Sequence, residues 1–230
     1  RCGVVTGVLT CALPIYHYGY DIVLANMPYS QKTKHGELYD LPSTNGDSIC
    51  VQHCMKAINS TSPNGRMALV VPEGFLFRKD LTRTREYLLE NCQLQSIISL
   101  PQGVFLPYTG VKTDIIYATK VNQKIKKSEK KKEFWYFDVK SDGYTLDNHR
   151  RKLDTPSDLA KYEEFRKLDE DQSTEMTNVG FEIIPLDKVC SNSFILAGNR
   201  YRISPNITSK YEIVDFSDIA TIRSEERRVG

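Results

Sequence analysis

Short apolar runs rich in β-branched residues alternate along the chain with segments whose apolar positions recur at helical spacing. The first pattern predicts strands buried on both faces of a sheet, and the second predicts amphipathic helices. The predicted strands span residues 21–25, 67–71, 94–100, 113–119 and 133–139. The predicted helices span residues 47–59 and 80–91. This alternation predicts an α/β protein, with an open sheet and helices on its faces.

One connection in this pattern lacks a helix. The stretch "PQGVFLPYTGVK" between residues 100 and 113 is rich in Gly, Pro and Tyr and has no helical period. A direct link of this kind predicts that strands 94–100 and 113–119 form an antiparallel pair, which we place at one edge of the sheet. Tyr108, Thr109 and Gly110 in this loop are candidates to border a ligand pocket, without an assigned role.

The strand at residues 21–25 ends abruptly in Asn26, Met27, Pro28 and Tyr29. In open α/β sheets, ligands bind beyond the carboxyl ends of the strands. Tyr29 offers a flat face on which a planar ring can stack, and Asn26 offers a side-chain carbonyl as acceptor. Met27 precedes a proline, so its backbone is biased to extended geometry and its carbonyl can point outward. An ordinary turn is the alternative reading of these four residues.

Two fixed acceptors beside an aromatic face suit an exocyclic amine on a heteroaromatic ring. The lone pair of such an amine, for example adenine N6, is delocalised into the ring, which makes the nitrogen a poor nucleophile. Acceptors on both amine hydrogens favour a pyramidal nitrogen and release the lone pair toward an electrophile. Each neutral hydrogen bond contributes about 1 kcal/mol net, and more where charge develops in a dry site.

Four segments in sequence order extend this interpretation. They are "YDIVLANMPYS", "NGRMALVVPEGFLFR", "LPQGVFLPYTGVKTDIIYATK" and "FWYFDVKSDGYTLDNHRRKLD". Together they resemble the modification subunit of type I restriction-modification systems, a family of N6-adenine DNA methyltransferases that use S-adenosylmethionine. The resemblance covers residues 21–154. It implies the C-terminal half of a Rossmann-like methyltransferase sheet, with duplex DNA, a specificity subunit and a restriction subunit as partners.

The resemblance also implies roles for the four residues that end the first strand. The family motif, Asn-Pro-Pro followed by Phe or Tyr, corresponds to Asn26, Met27, Pro28 and Tyr29. Asn26 and the Met27 carbonyl would accept hydrogen bonds from N6, while Tyr29 would stack on the flipped adenine. Met27 departs from the family proline. The acceptor carbonyl is kept, but the restraint on the φ angle of Met27 is lost.

The cofactor half of the site is not apparent in the sequence. The family's Gly-rich S-adenosylmethionine loop lies upstream of the strand that ends at Asn26, and residues 16–20 do not supply it. Later Gly-containing stretches lack the strand before and the helix after that such a loop needs. We therefore assign no cofactor-binding residues and expect this chain to be inactive alone.

Net charge adds little to this picture. The 230 residues carry a formal charge of only +2, so nucleic-acid affinity would depend on local clusters. Residues 120–132 hold seven lysines and one acidic residue, which fits a solvated loop or an arm that contacts phosphates. The pairs Arg78–Lys79 and Arg150–Arg151 could likewise be solvated surface residues or contacts to DNA phosphates.

The cysteines indicate a reducing compartment. Six cysteines lie scattered, and Cys50 and Cys54 flank His53 at one helical turn. A metal site would need further ligands at suitable spacing, so we favour helix packing and predict no metal. No apolar run approaches the roughly 20 residues that a membrane span needs, so we expect a soluble, cytoplasmic protein with no membrane partner.

Both ends of the chain look foreign to the fold. "RCGVVTGVLTCALPI" at 1–15 and "RSEERRVG" at 223–230 resemble translated sequencing-adapter DNA. We exclude both from the fold prediction and expect the natural protein to continue beyond them. Between them we predict a methyltransferase part at 16–155 and a charged helix, capped by Ser157, with a linker at 156–180. Residues 181–222 would form a C-terminal subdomain or the start of a specificity region.

Two other functions remain open from the sequence. Glutamine N5-methyltransferases that act on protein also use Asn-Pro-Pro-Tyr, because a side-chain amide presents similar hydrogens. A non-enzymatic reading makes the region from Phe181 a fragment for DNA specificity or subunit contact. "FILAGNRYRIS" resembles the end of type I modification subunits, and "YEIVDFSDIATI" resembles the start of an attached specificity region.

Overall fold

The computed structural model describes residues 2–6, 19–29, 31–34, 36–58, 65–121, 131–165 and 180–202. The strands within these residues are β1 Cys2–Thr6, β2 Ile22–Asn26, β3 Arg66–Pro72, β4 Cys92–Ser99, β5 Thr113–Lys120, β6 Glu133–Asp138 and β7 Phe181–Pro185. The α-helices in the same part of the chain are α1 Gly46–Ala57, α2 Thr82–Asn91, α3 Leu159–Phe165 and α4 Leu186–Ser191. Short 3-10 helices lie at Gly36–Leu38, Glu73–Leu76, Lys79–Leu81 and Gly198–Tyr201. The predicted α/β class is confirmed.

The strands form one mixed sheet in the order β1-β2-β3-β5-β4-β6-β7. The first three strands are parallel, and β5 runs antiparallel to both β3 and β4. On the far side, β6 is parallel to β4 and β7 is antiparallel to β6. The carboxyl ends of β2, β3, β4 and β6 therefore meet at one edge of the sheet.

The antiparallel pair is present, but its predicted position at the edge of the sheet is wrong. β4 and β5 pair as expected, and β5 then bonds to β3 while β4 bonds to β6. The aromatic run of β6 explains this position. Tyr136 and Phe137 are both 1% exposed, as an interior strand between β4 and β7 requires.

The prediction that the strand before Asn26 is buried on both faces is also wrong. Val23 and Ala25 pack in the main core cluster beneath α1, whereas Leu24, on the opposite face, is 43% exposed. On that opposite face, Leu159 and Tyr162 of α3 pack against a second core cluster that includes Ile98, Phe137 and Phe181. There Tyr162 stacks with Phe181 and bonds to the Ser96 hydroxyl at 2.6 Å.

Helix starts follow from local capping. The Asn45 side chain accepts from the Asp47 amide at 2.9 Å, which begins α1 one residue before the predicted position. The Ser157 hydroxyl accepts from the Leu159 amide at 3.2 Å, which confirms the predicted cap of α3. The predicted linker after this helix falls on residues 166–179, outside the described residues.

The ends of the described chain join the sheet. Cys2–Thr6, which the sequence prediction left out of the fold, pairs parallel with β2, and Thr6 lies opposite Asn26. At the other end, β7 pairs antiparallel with β6 and extends the sheet. The adapter-derived origin of 1–15 and 223–230 and the predicted specificity region remain predictions, and residues 203–230 lie outside the described residues.

A buried arginine ties the C-terminal segment to the core. The Arg85 guanidinium is 0% exposed and donates to the carbonyls of Phe194 at 2.6 Å, Phe75 at 2.9 Å and Arg78 at 2.8 Å. Burial lowers the pKa of Arg85 to about 10, so the group stays charged and its charge is met by backbone dipoles. This contact holds the segment after α4 against α2.

No helix within the described residues is long and apolar enough to cross a membrane.

Candidate active site

The four predicted site residues lie together at the carboxyl end of β2. Asn26 is the last residue of the strand and lies opposite Val70 of β3 in the parallel register. The chain leaves the sheet at Met27 and turns at Tyr29. The location agrees with the general rule that α/β sheets bind ligands beyond their carboxyl edge.

These residues line a pocket of about 380 Å³. Its lining comprises Asn26, Met27, Pro28, Tyr29, Gln31, Phe105, Tyr108 and Thr109. The volume is at the lower end of the roughly 300–1,000 Å³ typical of small-molecule sites. One wall is therefore the end of β2, and the other is the loop between β4 and β5.

A hydrogen bond within the motif orients the amide. The Tyr29 hydroxyl donates to the Asn26 side-chain oxygen at 3.2 Å. Burial raises the pKa of Tyr29 above its usual value, so this hydroxyl stays a neutral donor at physiological pH. A carbonyl oxygen has two lone pairs, so Asn26 keeps one acceptor position for a ligand. The tyrosine ring also packs against the main core cluster, which fixes its position.

Met27 is anchored by its side chain. The residue is 4% exposed and belongs to the same core cluster as Val23 and Ala25. A proline at this position would restrain the backbone through its ring. Here the buried thioether chain anchors the residue instead.

The chain after Tyr29 is held against the start of α1. The Gly46 amide donates to the Gln31 carbonyl at 2.7 Å, and a Cβ on Gly46 would lie 2.6 Å from that oxygen. Only glycine allows this close approach. The contact places Gln31 in the pocket lining, which the sequence did not indicate.

The loop after β4 supplies residues that sequence reasoning left without a role or missed. Tyr108 and Thr109 line the pocket, whereas Gly110, considered with them, does not. Phe105 also lines it and was not singled out, although its place in a Gly- and Pro-rich link between two strands is a usable signal. Phe105 is partly buried and packs against the second core cluster of the opposite face.

The basic candidates differ in how far their charges are already paired. Arg78 forms an ion pair with Asp80 at 2.6 Å. Arg150 bonds to the Asp142 carboxylate and to the Thr145 carbonyl, so it braces its own loop. Lys79 and Arg151 are exposed. Most of the lysine-rich segment, residues 122–130, lies outside the described residues.

The cysteine–histidine group of α1 is part of the helix packing. Burial raises the pKa of Cys50 and of Cys54 to about 12, which keeps both thiols protonated. The His53 ring nitrogen Nδ1 lies 2.9 Å from the Tyr39 hydroxyl, and burial lowers the pKa of the ring. No group of three or more potential metal ligands occurs within the described ranges.

A second polar group lies at the same edge of the sheet, behind the pocket. Asp114 of β5 lies opposite Val71 of β3 and Ser99 of β4, and it is 0% exposed. Burial raises the pKa of Asp114 to about 7, and the charge of the nearby Lys112 ammonium group offsets part of this rise. Within the described residues, neither carboxylate oxygen has a hydrogen-bond partner.

Asn26 and the lining aromatic rings suit a planar base with an exocyclic amine. A Gly-rich turn between a strand and a helix, which would cradle a nucleoside cofactor, is absent from the residues that the structure describes. The cofactor is therefore not assigned to any residue of this chain.

Comparisons with known proteins agree with this geometry. The family model for N-6 DNA Methylase matches residues 13–209. The EcoEI type I restriction enzyme methylase subunit of Escherichia coli is 31% identical over 120 residues, which cover 51% of this chain and 23% of that protein. The StySPI type I methylase subunit of Salmonella potsdam is 34% identical over 103 residues, or 44% and 19% of the two chains.

Solved structures show the same fold. A structure from work on complex assembly and conformational transition of the type I R-M system aligns at TM-score 0.59 and 25% identity, covering 89% of this chain and 41% of that one. The type I methyltransferase subunit from Streptococcus thermophilus aligns at TM-score 0.60 and 20% identity, covering 82% and 39%. The chain thus spans less than half the length of these relatives. By the family match over residues 13–209, it belongs to the N-6 DNA Methylase family.

Proposed function

We propose that this chain is part of a DNA methyltransferase that acts on N6 of adenine, as the modification subunit of a type I restriction-modification complex. The observation that carries the proposal is the pocket at the carboxyl end of β2, lined by Asn26, Met27, Pro28 and Tyr29. The relatives that bear the same region are named type I methylase subunits.

In this proposal the pocket prepares the amine for reaction. The Asn26 oxygen accepts one N6 hydrogen through the lone pair that Tyr29 leaves available, and the Met27 carbonyl accepts the other. Both acceptors draw the nitrogen toward a pyramidal geometry, in which its lone pair is free of the ring. Such fixed dipoles act most strongly where water is excluded.

Tyr29 would hold the base by stacking. A base in a duplex cannot reach a protein pocket, so the adenine must leave the helix at a cost of a few kcal/mol. Stacking on one aromatic ring returns about 1–3 kcal/mol of this cost. The Tyr29 ring is already fixed by the core and by its bond to Asn26, so little side-chain freedom is lost on binding.

The methyl donor that we propose is S-adenosylmethionine, whose sulfonium supplies an activated methyl group without a metal. Duplex DNA is the proposed substrate, with specificity and restriction subunits as the proposed partners. The family and the named relatives favour DNA over protein glutamine, because both describe DNA-modifying enzymes.

The test uses a full-length methylase that carries this sequence, assembled with its specificity subunit. Transfer of labelled methyl groups is measured on duplex DNA and on protein. The Asn26→Ala variant is expected to lose about 100-fold or more in kcat on DNA, because one of two fixed acceptors is removed. Asn148→Ala, at an exposed asparagine outside the pocket lining, is the matched control.

Two outcomes would contradict the proposal. Full activity of Asn26→Ala would exclude Asn26 as a residue that binds the adenine amine. Methyl transfer to protein in place of DNA would change the substrate class.

A further inference from the structure

The loop after β4 presents an aromatic ring at the mouth of the pocket. Tyr108 is 92% exposed, more than any other large hydrophobic residue among those described, and yet it lines the pocket. Tyr29, the other tyrosine of the lining, is half-buried and fixed against the core. The two tyrosines of the lining therefore differ: Tyr29 is held against the core, and Tyr108 is almost fully accessible to solvent.

Hydrogen bonds within the loop fix the backbone at Tyr108. The amides of Tyr108 and Thr109 both donate to the Phe105 carbonyl, at 2.9 and 3.1 Å. The Gln102 side chain donates to the Gly110 carbonyl at 3.3 Å and closes the base of the loop. A turn bonded in this way presents its ring without the entropy cost of ordering a free loop.

The neighbouring aromatic residue of the loop cannot serve the same purpose. Phe105 packs with Ile98 and Phe137 in the second core cluster, so its ring is committed to the fold. Gly103, at φ 97°, lies close to the Leu146 carbonyl and joins the loop to the segment after β6. The loop is thus anchored by Phe105 and Gly103, and the Tyr108 side chain projects from it into solvent.

We propose that Tyr108 is a wedge that enters the DNA duplex where the adenine leaves it. This inference rests on the proposed function. Extrusion of a base unpairs its partner and unstacks both neighbours. An aromatic or apolar side chain inserted at such a step replaces part of the lost stacking. Tyr108 has an accessible ring and lies beside the pocket that would receive the base.

The experiment compares two DNA duplexes with the full-length methylase complex. In one the target adenine is paired with thymine, and in the other it faces an abasic position, so that extrusion breaks no base pair. Tyr108→Ala is expected to lower kcat/KM about tenfold or more on the paired duplex, in line with the contribution of one aromatic stack. On the abasic duplex the loss is expected to shrink to about twofold, since less stacking and pairing must be replaced.

Variants at the same position supply the controls. Tyr108→Phe and Tyr108→Trp keep a ring and are expected to retain activity on the paired duplex. The melting temperature of Tyr108→Ala is expected to match that of the parent, because the side chain is exposed.

The outcomes separate the wedge from its alternatives. Equal losses on both duplexes would show that the ring acts on the base inside the pocket and would overturn the inference. An unchanged rate on the paired duplex would overturn it too. Failure of the proposed function is distinct, because the parent protein would then methylate neither duplex. Asn26→Ala is expected to lose activity on both.

Discussion

Two polar groups lie at the carboxyl edge of the same sheet, and their surroundings differ. Asn26 and Tyr29 face a pocket, satisfy each other with one hydrogen bond and leave an acceptor available. Asp114 and Ser99 face each other on adjacent strands, are fully buried and lack hydrogen-bond partners within the described residues. A position at the ligand edge of a sheet is therefore not enough to identify a site.

The two groups differ in whether they can ionise. The Asn26 amide does not ionise at physiological pH, so exclusion of water from the pocket does not change its charge. A buried carboxylate is destabilised by desolvation and takes up a proton instead. We therefore expect changes in the first group to alter methyl transfer and changes in the second to alter stability.

After the loss expected for Asn26→Ala, the next largest effect on methyl transfer is expected at Tyr29. Tyr29→Ala should lower kcat/KM for DNA by about 10- to 100-fold, because the stacking surface for the base is lost. Tyr29→Phe keeps the ring, loses only one neutral hydrogen bond and should cost about fivefold or less. Steady-state kinetics of the full-length methylase complex measure both. Equal losses in the two variants would show that the hydroxyl matters more than the ring.

At Asp114 the expected effect is on stability, depends on pH and leaves methyl transfer nearly unchanged. Its folded pKa of about 7 exceeds the ordinary value of 3.8, so the folded protein binds the extra proton. The stability that the proton contributes is complete below the unfolded pKa and declines as the pH rises to about 7. Asp114→Asn should therefore raise the free energy of unfolding at pH 8 by about 4 kcal/mol relative to its effect at pH 4.

Urea unfolding of the full-length protein at the two pH values measures this difference. Methyl transfer at pH 8 should stay close to that of the parent. The same change in unfolding free energy at both pH values would exclude a protonated Asp114. A large loss of methyl transfer in Asp114→Asn would show that Asp114 contributes to catalysis. The buried group and the pocket would then not differ in function.

The smallest effect is expected for the ion pair beside the buried group. Lys112 Nζ and Glu73 Oε1 lie 2.8 Å apart, and both side chains are about one-third exposed. Exposed pairs of this kind contribute about 0–1 kcal/mol. Lys112→Gln should therefore cost about 1 kcal/mol or less in unfolding at pH 8, with Glu73→Gln as the matched control. A clearly larger loss for Lys112→Gln alone would mean that Lys112 mainly stabilises Asp114.

The sequence was informative where local chemistry decides the outcome. Apolar β-branched runs closed by Pro72 and Pro101 predicted β3 and β4 closely, and the polar end of β2 predicted one wall of the pocket. It was uninformative where the outcome depends on segments that are distant in sequence. The position of β5 depends on β6 and β7, which add on the far side of β4. The exposure of Leu24 and the burial of Asp114 likewise depend on which helices cover each face.

The second wall of the pocket shows the same limit. Phe105 and Tyr108 come from a loop that begins far along the chain from Asn26, and no local pattern links the two. They meet because β5 returns next to β3, one strand away from β2. The motif was visible in the sequence, but the pocket is a product of the strand order.

The interior position of β5 has a consequence for folding. Among the described strands, β5 alone connects β1-β2-β3 to β4-β6-β7 by hydrogen bonds. The β4–β5 hairpin closes a short loop and can form early, whereas pairing of β5 with β3 must also close the chain through α2. Disruption of this one strand separates the sheet into two halves. Local opening of β5 should therefore expose amides of both neighbouring strands, β3 and β4, to hydrogen exchange at the same time.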